Sequence, residues 1–301
     1  MSAVGLSYVA ILDRLPYGKG NLMIQTEHTF QNKDQNTLFY HEWLPDDGNI
    51  RAVVLIVHGV HEHSGRYQHV AKVFTQAGLA CYGIDHRGHG KSGGTKVYFT
   101  DLGDVVDDLR LLFDRVREQH PDKPVLIFGH SMGSLVSLEF TLRYQQDVKA
   151  LALTGTAITG EEAQPKWLLS LAQQAAKIIP RVRLSPSESP TILTTDQDQV
   201  LRFIADPLVD KGLWRIGTSV AMLQAGRAIR ERVHQLTLPI LAYHGGDDKL
   251  TPSSGATYLQ EHAQSEDITI KIYPGLRHEL VNEIGREEII QEITDWLVAH
   301  A

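Results

Sequence analysis

The stretch that decides the fold is Val125–Ser134, which reads Val-Leu-Ile-Phe-Gly-His-Ser-Met-Gly-Ser. Four apolar residues follow Pro124 and indicate a short buried strand, and Gly129–Gly133 then matches the pattern G-x-S-x-G. In this nucleophile elbow the serine, here Ser131, lies on a sharp strand-to-helix turn with its hydroxyl exposed above a sheet. Glycines are needed because the serine backbone is strained and the strand and helix approach closely. Leucines at helical spacing across 135–142 supply the helix, so Ser131 is predicted to be a nucleophile.

Outward from the elbow, strand patterns and helix patterns alternate along the chain. Continuous apolar runs predict buried strands, and apolar residues spaced three to four apart predict helices. Strands are predicted at Leu22–Phe30 and Leu38–Leu44 (a hairpin), Ala52–Val57, Leu79–Ile84, Val125–Phe128, Val148–Leu153, Pro239–Tyr243 and Ile268–Tyr273, and helices at Val70–Ala77, Val105–Val116, Leu135–Leu142 and Ile289–Leu297. This alternation predicts an α/β fold with a mostly parallel central sheet and helices on both faces.

One region interrupts the alternation. From Thr156 to His234 the sequence shows helical patterns and loops but no convincing strand. We therefore predict an inserted helical cap over residues 156–235, between core segments 1–155 and 236–301. One predicted cap helix carries an apolar face, formed by Trp167, Leu168, Leu171, Ala172, Ala175, Ala176 and Ile179, and a Pro/Ser-rich segment, Leu184–Pro190, follows it. This face could line an acyl-chain tunnel, touch a membrane surface or simply pack on the core.

A serine nucleophile needs a base and an acid that orients the base. In proteins with this elbow the chain order is serine, then Asp or Glu, then His. His278 lies in the loop after the last predicted strand and is the expected base. The preceding strand is followed by two adjacent carboxylates, Asp247 and Asp248; we favour Asp248, with Asp247 as the alternative.

The oxyanion of an acyl-transfer reaction is stabilised by backbone N–H groups. One comes from the residue after the nucleophile, here Met132, and one from the loop after an early strand. His58-Gly59-Val60 follows the strand Ala52–Val57, so Val60 is the expected second donor.

Composition and charge narrow the function classes. The chain has 301 residues, 42% of them hydrophobic, and its net charge of −7 includes no basic block, which argues against nucleic acid as a partner. Cys81 is the only cysteine and lies in an apolar run, so we expect it to be buried. No run approaches the ~20 apolar residues of a membrane span. The N-terminus lacks a basic region and Asp13-Arg14 interrupts its apolar segment, so we expect no signal peptide and a cytoplasmic protein.

Five segments together resemble the monoglyceride lipase and lysophospholipase group of α/β-hydrolases. These are His58–Tyr67, similar to the group's HGxGEHSGRY loop; Asp85–Ser92, similar to its DHRGHGxS turn; Gly129–Gly133, matching GHSMG; Gly245–Asp248, similar to GxxD; and Pro274–Glu279, similar to PGxxHE. The resemblance extends over about 27–296 and implies the α/β-hydrolase fold. It also implies Asp248 as the acid and His278 as the base. Two positions depart from the group: His61 and Ser134 each stand where a glycine is usual.

The resemblance implies a serine carboxylic ester hydrolase acting on a single-chain lipid ester, foremost a monoacylglycerol cleaved to glycerol and fatty acid. The alternatives are a short- or medium-chain carboxylesterase, a lysophospholipase, an acyltransferase using the same triad, and a ligand-binding protein that retains the triad as a relic. The expected partner is a small lipid ester, with transient membrane contact through the cap. The oligomeric state stays open.

Fifteen histidines raise the question of a metal site, above all His61-Glu62-His63 and the pair His86 and His89. Zinc needs three or four convergent ligands. The same residues recur in the motif loops of the group that the chain resembles. We therefore expect them to order turns, and we expect neither a metal nor another cofactor.

Overall fold

The computed structural model describes residues 23–158, 166–185 and 189–301, with the side chains of 166–169 and 184–185 left out. Eight strands form one sheet in the order β1-β2-β4-β3-β5-β6-β9-β10, and two short strands form a separate pair. The strands are β1 (Met23–Gln31), β2 (Thr37–Pro45), β3 (Ala52–Val57), β4 (Leu79–Asp85), β5 (Val125–His130), β6 (Ala150–Thr154), β7 (Arg183–Ser185), β8 (Trp214–Arg215), β9 (Ile240–Gly245) and β10 (Ile268–Tyr273).

Helices cover both faces of the sheet. They are α1 (Gln68–Gln76), α2 (Leu102–Gln119), α3 (Met132–Tyr144), α4 (Lys166–Ile178), α5 (Gln197–Ala205), α6 (Ile216–Arg232), α7 (Ser254–His262) and α8 (Arg286–Ala299). One core lies between the sheet and α2, α3 and α6, and the other between the sheet and α1 and α8. Every residue of β3, β4, β5, β6 and β9 is buried, which explains why these strands read as continuous apolar runs.

The strand directions confirm the predicted sheet. The hairpin β1–β2 is antiparallel, and β2 pairs antiparallel with β4, whereas the pairs from β4 through β3, β5, β6 and β9 to β10 are all parallel. The predicted helices at 70–77, 105–116, 135–142 and 289–297 are also present as α1, α2, α3 and α8. The carboxyl ends of β3, β5, β9 and β10 lie along one edge of the sheet. This edge is where loops of an open parallel sheet bring functional residues together.

The inserted region requires one correction. The prediction of no strand between Thr156 and His234 is wrong, because β7 and β8 pair antiparallel there. Strands of three and two residues are too short to show an alternating pattern, so the sequence carries no signal for them. The other elements that the structure describes between β6 and β9 are α4, α5, α6 and short 3-10 turns.

Some sequence predictions fall on residues that the structure does not describe. The N-terminal segment 1–22, with the first residue of the predicted hairpin, lies outside the described residues, as does part of the Pro/Ser-rich segment. The side chains of Trp167 and Leu168 are likewise not described. None of the helices in 23–158, 166–185 and 189–301 is long and apolar enough to cross a membrane. Cys81 is buried as predicted, and burial raises the pKa of its thiol.

Candidate active site

Ser131 has the strained backbone expected of a nucleophile elbow. It lies between β5 and α3 with φ 54° and ψ −121°, in a region that residues with a side chain rarely occupy. The flanking glycines allow this turn. A Cβ on Gly133 would lie 2.0 Å from the carbonyl oxygen of Val57, and one on Gly129 would lie 2.4 Å from Oγ of Ser137. Glycine is therefore required at both positions by the close approach of α3 to β3 and β5.

Asp248 and His278 are in direct contact. Oδ2 of Asp248 lies 2.7 Å from Nδ1 of His278, and the Asp248 side chain is fully buried. Burial alone would raise the pKa of Asp248. Hydrogen bonds from His244 and His278 outweigh burial and hold that pKa well below its usual range. Asp247 is exposed, so the structure brings Asp248, and not the alternative Asp247, to the histidine.

His278 lies beside the elbow. Its ring is 4.7 Å, centroid to centroid, from the ring of His130, the residue that precedes Ser131. Both rings also approach Gly155, where a Cβ would lie 3.0 Å from Cε1 of His278 and 3.2 Å from Cε1 of His130. Within the described residues no hydrogen bond joins the Ser131 hydroxyl to His278. Such catalytic bonds commonly tighten only when substrate is bound.

The two expected oxyanion donors lie at the same edge of the sheet. Met132 is the first residue of α3, where backbone N–H groups and the helix dipole favour negative charge. Val60 lies in the turn after β3, next to Gly59, whose Cβ position would be 3.2 Å from Cβ of Ser131. The N–H of Gly59 donates to Oε1 of Glu62 at 2.7 Å, which fixes the backbone just before Val60.

The two departures from the group's glycines have different structural outcomes. His61 adopts a left-handed backbone, with φ 68°, at a position where glycine would be unstrained. Its carbonyl accepts the N–H of Asp210, and its ring packs on Trp214. Ser134 instead adds hydrogen bonds, because its hydroxyl donates to the carbonyl of Ser131 at 2.6 Å and accepts the N–H of Ala157 at 3.0 Å.

A buried ion network that sequence reasoning missed joins the oxyanion loop to the histidine loop. The Arg66 guanidinium binds Glu62 at 2.6 Å and Glu279 through two bonds of 2.8 and 2.6 Å. Burial by itself raises the pKa of Glu279, but the charge and hydrogen bonds of Arg66 lower it to about 2. The sequence carries one signal for this network, since all three charged residues lie inside the motif segments. Their partnership spans 213 residues and could not be deduced from either segment alone.

The histidines of the motif loops differ in their contacts: the ring nitrogens of His61 and His86 have no hydrogen-bond partner among the described residues, whereas Nδ1 of His89 bonds the carbonyl of Arg87. His58 donates from Nδ1 to the carbonyl of Gly59 and accepts the N–H of His86 at Nε2. Burial lowers the pKa of His58 and of His89 to about 3, which keeps both rings neutral. His63 instead pairs with Asp206, at 2.9 Å. Among the described residues no group of three or more His, Cys, Asp or Glu side chains converges as metal ligands would.

The fold and this site define a class. Three features are typical of a serine hydrolase with the α/β-hydrolase fold: a strained serine between a strand and a helix, a buried Asp–His pair, and a mostly parallel sheet whose loops hold these residues. Comparison with solved structures agrees with this fold. A monoglyceride lipase structure from Saccharomyces cerevisiae, a soluble variant in complex with a substrate analog, superimposes with a TM-score of 0.81 at 21% identity, over 95% of this chain and 98% of that one.

The sequence comparisons name the family. Residues 48–285 match the Hydrolase_4 model, described as serine aminopeptidase, S33, and the chain belongs to this family. A monoacylglycerol lipase from Mycolicibacterium smegmatis is 35% identical over 92% of this chain and 98% of its own length. A monoglyceride lipase from Mus musculus is 29% identical over 88% of each chain.

Proposed function

We propose that the chain hydrolyses monoacylglycerols to glycerol and a free fatty acid through an acyl-enzyme on Ser131. The observation that carries the proposal is the contact of the buried Asp248 carboxylate with His278 beside the Ser131 elbow. The names of two curated relatives, a monoacylglycerol lipase and a monoglyceride lipase, support the lipid substrate.

The residues divide the reaction between them. His278 takes the proton of the Ser131 hydroxyl as the oxygen attacks the ester carbonyl, and Asp248 stabilises the imidazolium that forms. The N–H groups of Val60 and Met132 stabilise the oxyanion, each by a factor of about 10²–10³ in rate. His278 then returns the proton to the departing glycerol oxygen. Water, deprotonated in turn by His278, attacks the acyl-enzyme; the ester bond to Ser131 breaks, and His278 returns the proton to the Ser131 oxygen as the fatty acid leaves.

The preference for one acyl chain rests on the inserted region. A chain of about a dozen carbons gains roughly 0.8 kcal/mol for each buried CH₂, so a covered apolar pocket discriminates steeply by length. A triacylglycerol would leave two of its chains outside such a pocket. The inserted region lies against the oxyanion loop, since Asp206 pairs with His63 and the N–H of Asp210 binds the carbonyl of His61. These contacts support a pocket that the inserted region covers.

The test is a substrate series on purified protein. It comprises 1- and 2-monooleoylglycerol, trioleoylglycerol and p-nitrophenyl esters from acetate to palmitate. We expect kcat/KM to be highest for the monoacylglycerols and for long-chain esters. A maximum at acetate or butyrate, with poor turnover of monooleoylglycerol, would favour a general short-chain esterase instead.

The proposal includes a cytoplasmic location with transient membrane contact. The support for membrane contact is a set of exposed apolar side chains on α4 and at the residue that follows it. Leu171, Ile178 and Ile179 are 58%, 81% and 42% exposed. Apolar side chains exposed together on one helix suit insertion into the boundary between lipid headgroups and acyl chains. The enzyme would there reach monoacylglycerols that lie in the membrane.

A further inference from the structure

A second histidine contacts the carboxylate of the Asp–His pair. His244 lies in β9, fully buried, with Nε2 at 3.1 Å from Oδ2 of Asp248 and 2.9 Å from the carbonyl oxygen of Thr251. Both partners are acceptors, since a backbone carbonyl has no proton to donate and the low pKa of Asp248 keeps it ionised. The proton of the His244 ring is therefore on Nε2.

The other nitrogen of the same ring fixes its charge. Nδ1 of His244 is buried and has no hydrogen-bond partner within the described parts of the chain. A proton there would be a buried donor without an acceptor, which is costly. The geometry thus places the ring proton on Nε2, which donates to the Thr251 carbonyl and lies close to Oδ2 of Asp248.

Asp248 accepts hydrogen bonds from other groups besides the base His278. Its Oδ1 accepts the N–H groups of Leu250 and Thr251, at 2.8 and 3.0 Å. Its Oδ2 accepts Nδ1–H of His278 and the Thr251 hydroxyl at 2.9 Å, and Nε2 of His244 lies 3.1 Å from the same oxygen. The base and His244 therefore share a single carboxylate oxygen.

We propose that His244 is a positioning residue that fixes the Asp248 carboxylate towards His278 and disperses part of the charge on the oxygen they share. This inference rests on the proposed function, since it assigns His278 as the base. An N–H group 3.1 Å from an ionised oxygen stabilises the charge on that oxygen, so removing the His244 ring has a measurable effect on the carboxylate.

The direction of the expected pH shift follows from the negative charge on Oδ2 of Asp248. Without the His244 donor, Oδ2 carries more charge and stabilises the protonated form of His278 more strongly. The acidic limb of kcat/KM, where the base becomes protonated, then moves to higher pH. The titratable and charged groups that face the pair from other elements are His130 at the end of β5 and, beyond it, Glu279 with Arg66. None of these groups is itself changed in the His244 variants.

The experiment compares His244→Leu, which removes the donor, with His244→Gln, whose amide can donate from a similar position. His120→Leu is the matched control, because His120 bonds the hydroxyl of Tyr82, away from the site. We expect His244→Leu to lower kcat about 10-fold or more and to move the acidic limb up by roughly 0.5–1 pH unit. His244→Gln should recover most of both, and His120→Leu should change neither.

An acidic limb that does not move in folded His244→Leu would overturn the proposal. The wild-type protein gives a second test that needs no variant to fold, by ¹⁵N NMR of labelled histidine. We expect Nε2 of His244 protonated and Nδ1 bare, and the reverse pattern would also overturn the proposal. Failure of the proposed function gives a different result, namely wild-type protein that does not hydrolyse monooleoylglycerol.

Discussion

The ring of His61 packs edge-on against the indole of Trp214, with ring centroids 4.8 Å apart and planes at 81°. This contact joins the oxyanion loop to the inserted region. His61 also has a left-handed backbone. For a residue with a side chain this conformation costs of order 1–3 kcal/mol, and it persists only when neighbouring residues enforce it. Trp214 is one such neighbour, and the N–H of Asp210, bound to the His61 carbonyl, is another.

The first prediction is that Trp214→Ala lowers kcat about 10-fold for short and long esters alike, because the adjacent N–H of Val60 loses its fixed position. The assay uses p-nitrophenyl acetate and monooleoylglycerol. Trp296→Ala is the matched control, since Trp296 lies on α8 and stacks on His300. An unchanged kcat with a raised KM for the long ester only would show that Trp214 binds the acyl chain and does not support the oxyanion loop.

The second prediction separates the two adjacent carboxylates. Asp248→Asn should lower kcat by about 10³–10⁴-fold, because the amide no longer holds His278 in the right tautomer or balances its charge. Asp247→Asn should stay within about twofold of wild type, since Asp247 is exposed. Steady-state kinetics on one monoacylglycerol measures both. The reverse ranking of the two variants would refute Asp248 as the acid.

Particular residues show how far the sequence could predict this site. The elbow, His278 and the loop of Val60 were predictable because each depends on a short pattern directly after a buried strand. The choice between Asp247 and Asp248 needed either the family resemblance or the structure, since neighbouring residues in a turn point in different directions. The contacts of His61 with Trp214 and of Arg66 with Glu279 were not predictable, because they join segments far apart in the sequence.

The third prediction concerns the pH dependence of stability. Burial lowers the pKa of His58, His89 and His130 to about 3, against 6.5 in an unfolded chain. Below pH 6.5 the unfolded state therefore binds more protons than the folded state. The stabilising contribution is complete above that pH and is lost as the pH falls towards 3. Each histidine contributes a slope of up to about 1.4 kcal/mol per pH unit.

Urea unfolding at several pH values between 7.5 and 4.5 measures this slope. Replacing His89 by Gln should reduce the slope by up to about 1.4 kcal/mol per pH unit, the contribution of one proton. Replacing the exposed His262 by Gln should leave the slope unchanged. A free energy of unfolding that stays constant from pH 7 to pH 5 would contradict the buried, neutral state of these rings.

The fourth prediction tests membrane contact through α4. Leu171→Glu and Ile178→Glu should reduce sedimentation with anionic or neutral phospholipid vesicles, and lower turnover of vesicle-borne monooleoylglycerol several-fold. Hydrolysis of water-soluble p-nitrophenyl butyrate should change little. Ile24→Glu is the matched control, because Ile24 is 48% exposed on β1 at the far edge of the sheet. Equal losses on both substrates would mean that α4 supports the fold and not membrane contact.

The most direct test of the proposed mechanism is the mass of the protein itself during turnover. Wild-type protein mixed with monooleoylglycerol and quenched in acid within milliseconds should carry one oleoyl group, and peptide mapping should locate it on Ser131. Ser131→Ala should carry no acyl group and release no fatty acid above background. Fatty-acid release by Ser131→Ala at a rate near that of wild type, or an oleoyl group found on another residue, would contradict the assignment of Ser131 as the nucleophile.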